Sequence, residues 1–283
     1  MPSGERDTCR DSGYTMRRIA FYSDIHSNTT ALDAVLTHIG EVGPAERYCL
    51  GDLVGYGPDP AGVIEMVKAT GDPVIRGNYD QGVGDRSGSC GCYYATDQAV
   101  SDGAASYAFT EQAVDDAHAE WLVSLPTEIR FEEAGVRVLL THGSPRRINE
   151  YLMPDRGEKQ LSRLAREGET DVVCGGHVHI PYHRSFRADP DDAASPFVHY
   201  VNSGSVGKPK DGDPRACWVE LLIGAVEEVR ASAPDDAYAA PAGATDAWVG
   251  LVIHRVPYDI ESVAAAVIAA GLPPTLAEAL RTA

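Results

Sequence analysis

Apolar positions along the chain change their period several times. Residues 17–23 form a short apolar run, Arg17-Arg18-Ile19-Ala20-Phe21-Tyr22-Ser23, that ends in a loop with Asp24 and Asn28. Such a run predicts a buried strand. Over 29–40 the period lengthens, with Leu32, Val35, Leu36 and Ile39 on one helical face and Gly40 closing the segment. A second strand ends at Asp52, a second helix covers 60–71, and Pro73–Gly77 reads as a third short strand. This alternation of strand and helix predicts parallel α/β units.

The stretch from Asp80 to Gly91 is Gly-rich and reads as irregular, followed by helical segments between about Ala95 and Leu125. Residues 128–143 predict a hairpin whose second strand ends at His142. Residues 171–176, 197–204 and 215–222 are further strand candidates, and 225–231 and 248–259 continue that pattern. Between the last two, 231–246 is rich in Ala, Pro and Asp and predicts a mobile loop. The end reads as two helices split at Gly271-Leu272-Pro273-Pro274. Two sheet-forming halves with covering helices imply an α/β chain built as a four-layer α/β/β/α sandwich of two mixed sheets flanked by helices. We expect one domain over 16–283, preceded by a disordered tail over 1–15.

Composition narrows the function. With 42 acidic against 24 basic residues, the formal charge is −18. A strong grip on nucleic acid needs clustered Lys and Arg, so none is expected. A small anionic substrate is compatible, because divalent cations can invert the potential inside an acidic cleft. No apolar run approaches the roughly 20 residues that span a bilayer, and the polar start lacks the apolar region of a secretory signal. The expected setting is cytoplasmic, away from membranes. Of the six cysteines, Cys49, Cys174 and Cys217 sit in apolar runs as inert thiols. Cys90-Gly91-Cys92 is a weak metal or redox signal with no second pair to complete a zinc site.

The chemistry concentrates in five segments: Ser23-Asp24-Ile25-His26, Gly51-Asp52, Gly77-Asn78, Thr141-His142-Gly143 and Gly175-Gly176-His177-Val178-His179. Each places metal-ligand side chains at the C-terminal end of an apolar strand, where open α/β sheets build their sites. Four of the nine histidines fall here. Carboxylates suit hard divalent cations and imidazoles suit Mn, Fe, Zn, Co or Ni. Asp-x-His and His-x-His on extended backbone point both side chains the same way. A carboxylate that uses both oxygens can bridge two ions about 3.5–4 Å apart, which can then hold a phosphate and acidify a water. Singly, Asp24 or Asp52 would be a cap or turn former, Asn78 a turn residue and His142 a satisfied polar group. Their order together points to a metal pair.

The ordered set D-x-H, G-D, G-N, H-G and G-H-x-H resembles the calcineurin-like metallophosphoesterase superfamily. SDIHSN, GDLVGYGP, HGSPR, GHVHIP and NSGSVGKPKDGDPRA are similar to its prokaryotic small phosphoesterase branch, over about residues 17–222. The resemblance implies one metal held by Asp24, His26, Asp52 and His179 and a second held by Asp52, Asn78, His142 and His177. Asp52 would bridge them, with a metal-bridging hydroxide as nucleophile. The implied cofactors are two divalent metal ions, Mn first, with Fe, Zn, Ni or Co as alternatives. The implied substrate is a small phosphorylated compound: a phosphomonoester, a phosphodiester or a nucleotide polyphosphate.

The third segment departs from the superfamily, which usually reads Gly-Asn-His-Asp/Glu there. Here Gly77-Asn78-Tyr79-Asp80 keeps the ligand and replaces the His that contacts phosphate and assists the leaving group. Asp52, Tyr79 and Asp80 are the candidate catalytic residues. Tyr79, with an ordinary pKa near about 10, is a poor proton shuttle at neutral pH, which favours substrates with good leaving groups. Asn28, Tyr56, Arg146, Arg147 and the Ser203–Gly207 turn are possible pocket residues. The competing readings are a non-catalytic metal-binding interaction protein on the same fold and a nuclease, the latter opposed by the acidic charge. No Gly-x-Ser-x-Gly elbow supports serine hydrolysis.

Overall fold

The computed structural model describes residues 15–233 and 239–283. The tail expected over 1–15 lies outside them except for its last residue, as does the middle of the loop expected over 231–246. Among the described residues the first five strands are β1 (Arg17–Tyr22), β2 (Glu46–Cys49), β3 (Glu128–Glu133), β4 (Val136–Thr141) and β5 (Val172–Gly175). The rest are β6 (Tyr182–Arg187), β7 (Phe197–Asn202), β8 (Ala216–Gly224), β9 (Ala239–Pro241) and β10 (Trp248–Val256). They form two five-stranded sheets, ordered β2-β1-β8-β10-β9 and β3-β4-β5-β7-β6. Both are mixed: β1 runs parallel to β2 and antiparallel to β8, while β5 is parallel to β4 and β7 and β6 closes the edge antiparallel.

Period-two alternation decides how the layers stack. Ile19 and Phe21 of β1 join Val219, Leu221 and Ile223 of β8 and Val138, Leu140 and Cys174 of the second sheet in one core between the sheets. Ala20 and Tyr22 point the other way, into a core shared with two helices, α1 (Thr29–Val42) and α2 (Pro60–Thr70). A strand covered on both faces needs apolar residues at every position, which is why β1 read as a continuous run. The next helices are α3 (Asn78–Gly84), α4 (Asp97–Ala113), α5 (Asp116–Ser124) and α6 (Glu158–Glu167). Leu161 and Leu164 of α6 cover the outer face of the second sheet through Val173, Val198 and Tyr200. The four layers, helix on sheet on sheet on helix, are those expected. The last helices are α7 (Val226–Ser232), α8 (Ile260–Ala269) and α9 (Pro274–Thr282). Among the described residues no helix is long and apolar enough to cross a membrane.

Several boundaries differ from the sequence reading. Helix α1 runs through Gly40 and stops at Gly43, whose φ of +68° supplies the left-handed cap. Pro73–Gly77 pairs only through a bridge between Cys49 and Val74. Residues 80–84, the start of the stretch expected as irregular, belong to α3, because the Asp80 carboxylate reaches back to the Gly77 N–H at 2.9 Å and caps it. Residues 225–231, expected as strand, form α7: Val226 and Val229 are one turn apart, Val229 is buried, and Glu227 and Glu228 suit a helix N-terminus. Among the described residues of the stretch 231–246, β9 pairs with β10 and Ala242 is buried. The last two helices fall where expected.

Candidate metal centre

Five loops meet where strands of both sheets end. Asp24 and His26 follow β1, Asp52 follows β2, Asn78 opens α3, His142 follows β4, and His177 and His179 follow β5. All seven side chains are buried, none more than 3% exposed. Asp24, His26, Asp52, His177 and His179 adopt φ between +51° and +68°, a left-handed conformation that non-glycine residues enter only when their surroundings impose it. Here the imposition is visible. The Asp24 and His26 N–H groups donate to Gly51 and Asp52 carbonyls at 2.9 and 3.1 Å, and His177 N–H donates to the Asp24 carboxylate at 2.9 Å. Glycine lets the loops approach: a Cβ on Gly77 would stand 2.2 Å from Asp52, and one on Gly176 2.4 Å from the Asp24 carboxylate.

The side chains sort into two groups. Asp24, His26 and His179 offer ligand atoms within 4.8 Å of one another, and so do Asp52, His142 and His177. Asp52 Oδ2 lies between them, 3.3 Å from His142 Nε2 and 3.9 Å from His26 Nε2. Its other oxygen, Oδ1, accepts the Tyr79 N–H at 2.7 Å. Asn78 turns its Oδ1 to within 3.1 Å of His142 Nε2, because its Nδ2 donates to the Cys90 carbonyl at 2.9 Å.

These residues fit cations better than they fit each other. His26, His142 and His179 each donate Nδ1–H to a backbone carbonyl, of Val54, Leu50 and Lys208. That bond fixes the tautomer and leaves the Nε2 lone pair free, the arrangement metal-bound histidines use. Yet His26 Nε2 and His179 Nε2 stand 3.0 Å apart, two lone pairs facing with no hydrogen between them unless one ring is charged. Among the described residues, buried His177 Nε2 has no hydrogen-bond partner. Carboxylate with imidazole is the donor set of Mn, Fe, Zn, Co or Ni.

Electrostatics agree. Burial, and then the neighbouring His179, push the His26 imidazole down to about 3; burial and then His142 push His177 down to about 4. Burial also holds His179 well below its ordinary value. These rings are neutral donors at neutral pH. For His142 burial works in the same direction but the Asp52 carboxylate overrides it, raising the ring to about 10. Burial opposes ionisation of Asp52, yet the His142 charge and hydrogen bond win and its carboxyl lies below the usual range. A proton shared with His142 is thus what a cation would replace.

The remaining candidates take supporting positions. Both Asp80 oxygens accept backbone N–H groups, from Leu53 at 2.8 Å and Gly77 at 2.9 Å, which ties the Asp52 loop to the start of α3. Tyr79 is fully buried, with its hydroxyl 2.7 Å from Ser106 Oγ. Asn28 caps α1, and the Tyr56 ring stands edge-on to His26, centroids 4.8 Å apart. Arg146 is held by Glu150 at 2.6 Å. In the Ser203–Gly207 turn, Val206 and Gly207 N–H groups donate to Ser23 and Asp24 carbonyls and Gly204 N–H to Asn202, so the turn braces the metal loop rather than cradling an anion. Cys90 and Cys92 are joined as a disulfide beside Asn78, with Cys92 Sγ 3.3 Å from its Nδ2.

Sequence reasoning missed Tyr151, whose ring packs on His177 with centroids 4.0 Å apart, and the pair Lys208 and Lys210. The lysines lie inside the NSGSVGKPKDGDPRA motif; their signal was two cations two residues apart in an acidic chain.

Known proteins give the same picture. A sequence profile described as the calcineurin-like phosphoesterase superfamily domain matches residues 16–222. The uncharacterized protein MJ0912 of Methanocaldococcus jannaschii is 32% identical over 213 residues, covering 71% of this chain and 80% of its own length. The crystal structure of a metallophosphoesterase from Sphaerobacter thermophilus superposes with a TM-score of 0.65 at 25% identity, covering 95% of this chain and 99% of that one. The hypothetical protein PH1004 of Pyrococcus horikoshii shares the fold, with a TM-score of 0.69 at 20% identity over 93% and 97% of the two chains.

Proposed function

Because the chain belongs to the calcineurin-like phosphoesterase superfamily, and is thus a metal-dependent phosphoester hydrolase, we propose that it works through two divalent cations with Asp52 between them. One cation is held by Asp24, His26, Asp52 and His179, the other by Asp52, Asn78, His142 and His177. The substrate is a small phosphomonoester, phosphodiester or nucleotide polyphosphate, and manganese is the first ion to supply. One observation carries the reading: two buried groups of imidazole and carboxylate donors converge with Asp52 Oδ2 between them. When bound, such a pair neutralises phosphate charge and acidifies a water.

The protein's own contribution is preorganisation. Tyr79 N–H fixes one Asp52 oxygen and so aims the other at the centre. Asp80 holds the two loops that carry Asp52 and Asn78. Backbone carbonyls lock three imidazoles with Nε2 inward. Tyr79 and Asp80 thus serve the reaction by position. With the Tyr79 hydroxyl turned to Ser106, leaving-group protonation from this residue is weak, and anhydride or aryl leaving groups are favoured over alkyl ones.

The test is metal content by elemental analysis with turnover of p-nitrophenyl phosphate and bis-p-nitrophenyl phosphate after manganese loading. About two ions per chain and turnover are expected. Protein that binds the ions but hydrolyses neither ester overturns the catalytic reading and leaves that of a metal-binding interaction protein.

A further inference from the structure

Beside the metal centre lies a cavity of about 260 Å³ that the chemistry above does not use. Tyr56 and Tyr151 line it while touching the ligand imidazoles of His26 and His177. Tyr94 forms another wall, its hydroxyl 3.2 Å from that of Tyr56. Its ring is seated where a Cβ on Gly103 would stand 2.3 Å away, so glycine in α4 makes room for it. Leu276 and Ala279 of α9 close the far side. This wall lies beyond residues 16–222, the part the superfamily profile matches. Aromatic rings with aliphatic side chains make a surface for a planar ring.

The cavity also carries charge. Lys208 and Lys210 line it, with the Lys208 ammonium 5.0 Å over the Tyr56 ring. The strap that bears them is anchored to a metal ligand, since the Lys208 carbonyl accepts from His179 Nδ1 and the Lys210 N–H donates to the His179 carbonyl. The nearby Asp102 carboxylate is engaged by Gln98 and Thr275, at 2.9 and 2.7 Å. Neither ammonium makes an ion pair with a carboxylate among the described residues. Asp102 acts on Lys208 and the Asp24 and Asp52 carboxylates on Lys210 without closing an ion pair, so both ammonium groups are placed to meet an anion brought from outside.

Resting on the phosphoesterase reading, we propose that this cavity is a substrate subsite for a planar aromatic ring joined to a second anionic group. That is the chemistry of a nucleotide with more than one phosphate. The ring lies among Tyr56, Tyr94 and Tyr151 and against α9; Lys208 and Lys210 hold the phosphate not engaged by the metals. A volume of about 260 Å³, just under the roughly 300 Å³ at which ligand pockets begin, has room for one ring system.

Calorimetric titration of manganese-loaded protein with three hydrolysis-resistant probes tests this. α,β-Methylene-ADP carries ring and second phosphate, phenylphosphonate only the ring, and methylenediphosphonate only the two anions. The first should bind at least about tenfold tighter than either part. Lys210→Met should cost it about tenfold more than it costs phenylphosphonate. Ala279→Trp, which fills the cavity, should cost the ring-bearing probes about tenfold more than methylenediphosphonate. Equal binding by either part, or equal losses on all three probes, overturns the subsite. Turnover of p-nitrophenyl phosphate with such equal losses removes the subsite and keeps the hydrolase. Cavity-dependent binding with no ester turned over keeps the subsite and removes the hydrolase.

Discussion

Asp52 has two oxygens with separate duties, one bound to the Tyr79 N–H and one facing the His142 and His26 rings. Asp52→Asn keeps an oxygen for the N–H and loses the charge at the centre. Turnover should fall at least roughly 100-fold, the scale on which even outer partners of a metal site matter, with an unchanged circular dichroism spectrum. Retained activity would sink the bridging role. Tyr79→Phe probes the opposite case. If its hydroxyl supplied the leaving-group proton, turnover would drop by about 10² or more; bonded to Ser106, it should instead cost only about 1 kcal/mol of stability in a denaturant titration. Six of the seven proposed ligands could be picked out in sequence because they follow apolar strands, where their types have few other uses in that company, and the structure brings these six together. Lys208, Lys210 and Tyr151 could not, since a lysine or tyrosine on a loop says nothing until the fold shows what faces it.

At the level of elements, pattern succeeded for β1, whose burial is two-sided, and failed for β6 and α7. Strand β1 announced itself through Ile19, Ala20, Phe21 and Tyr22, all buried. Strand β6 passed unread because Tyr182-His183-Arg184-Ser185-Phe186-Arg187 lies on a sheet edge and keeps polar residues. Helix α7 was mistaken because seven residues are too few to show a period; the spacing of Val226 and Val229, three apart, fits a helix turn and not strand alternation. The core between the sheets should be the costliest to damage: Leu221→Ala is expected to lose about 2–5 kcal/mol by thermal or chemical melting. A second prediction concerns the link from β7 to β9. His199 donates Nε2–H to the Pro241 carbonyl, and its Nδ1 faces His183 Nε2 at 2.9 Å. Burial pushes its pKa down to about 4, below the unfolded value near about 6.5. The unfolded chain therefore takes up this proton first as pH falls. His199 stabilises the fold fully above pH of about 6.5 and loses that contribution, on the order of 3 kcal/mol, down to about 4. Melting temperature against pH should be flatter over this window in His199→Asn; an unchanged slope refutes the assignment.

For the molecule as a whole, two features set the response to its surroundings. The charge of −18 draws counter-cations toward the surface. Chelation should lower the melting temperature and manganese should restore it, by about 2.7 kcal/mol per site at a hundredfold excess over Kd. No shift on chelation would mean that the buried donors are satisfied without ions. The ligands also come from both sheets. Asp24 meets His177 across 153 residues of chain, and His26 meets His179 across the same span. Neither half of the protein owns a complete set of donors. If cations bind as proposed, a partly folded chain offers only part of each donor set, and the complete cradle closes as a seal only on molecules whose two halves have already come together.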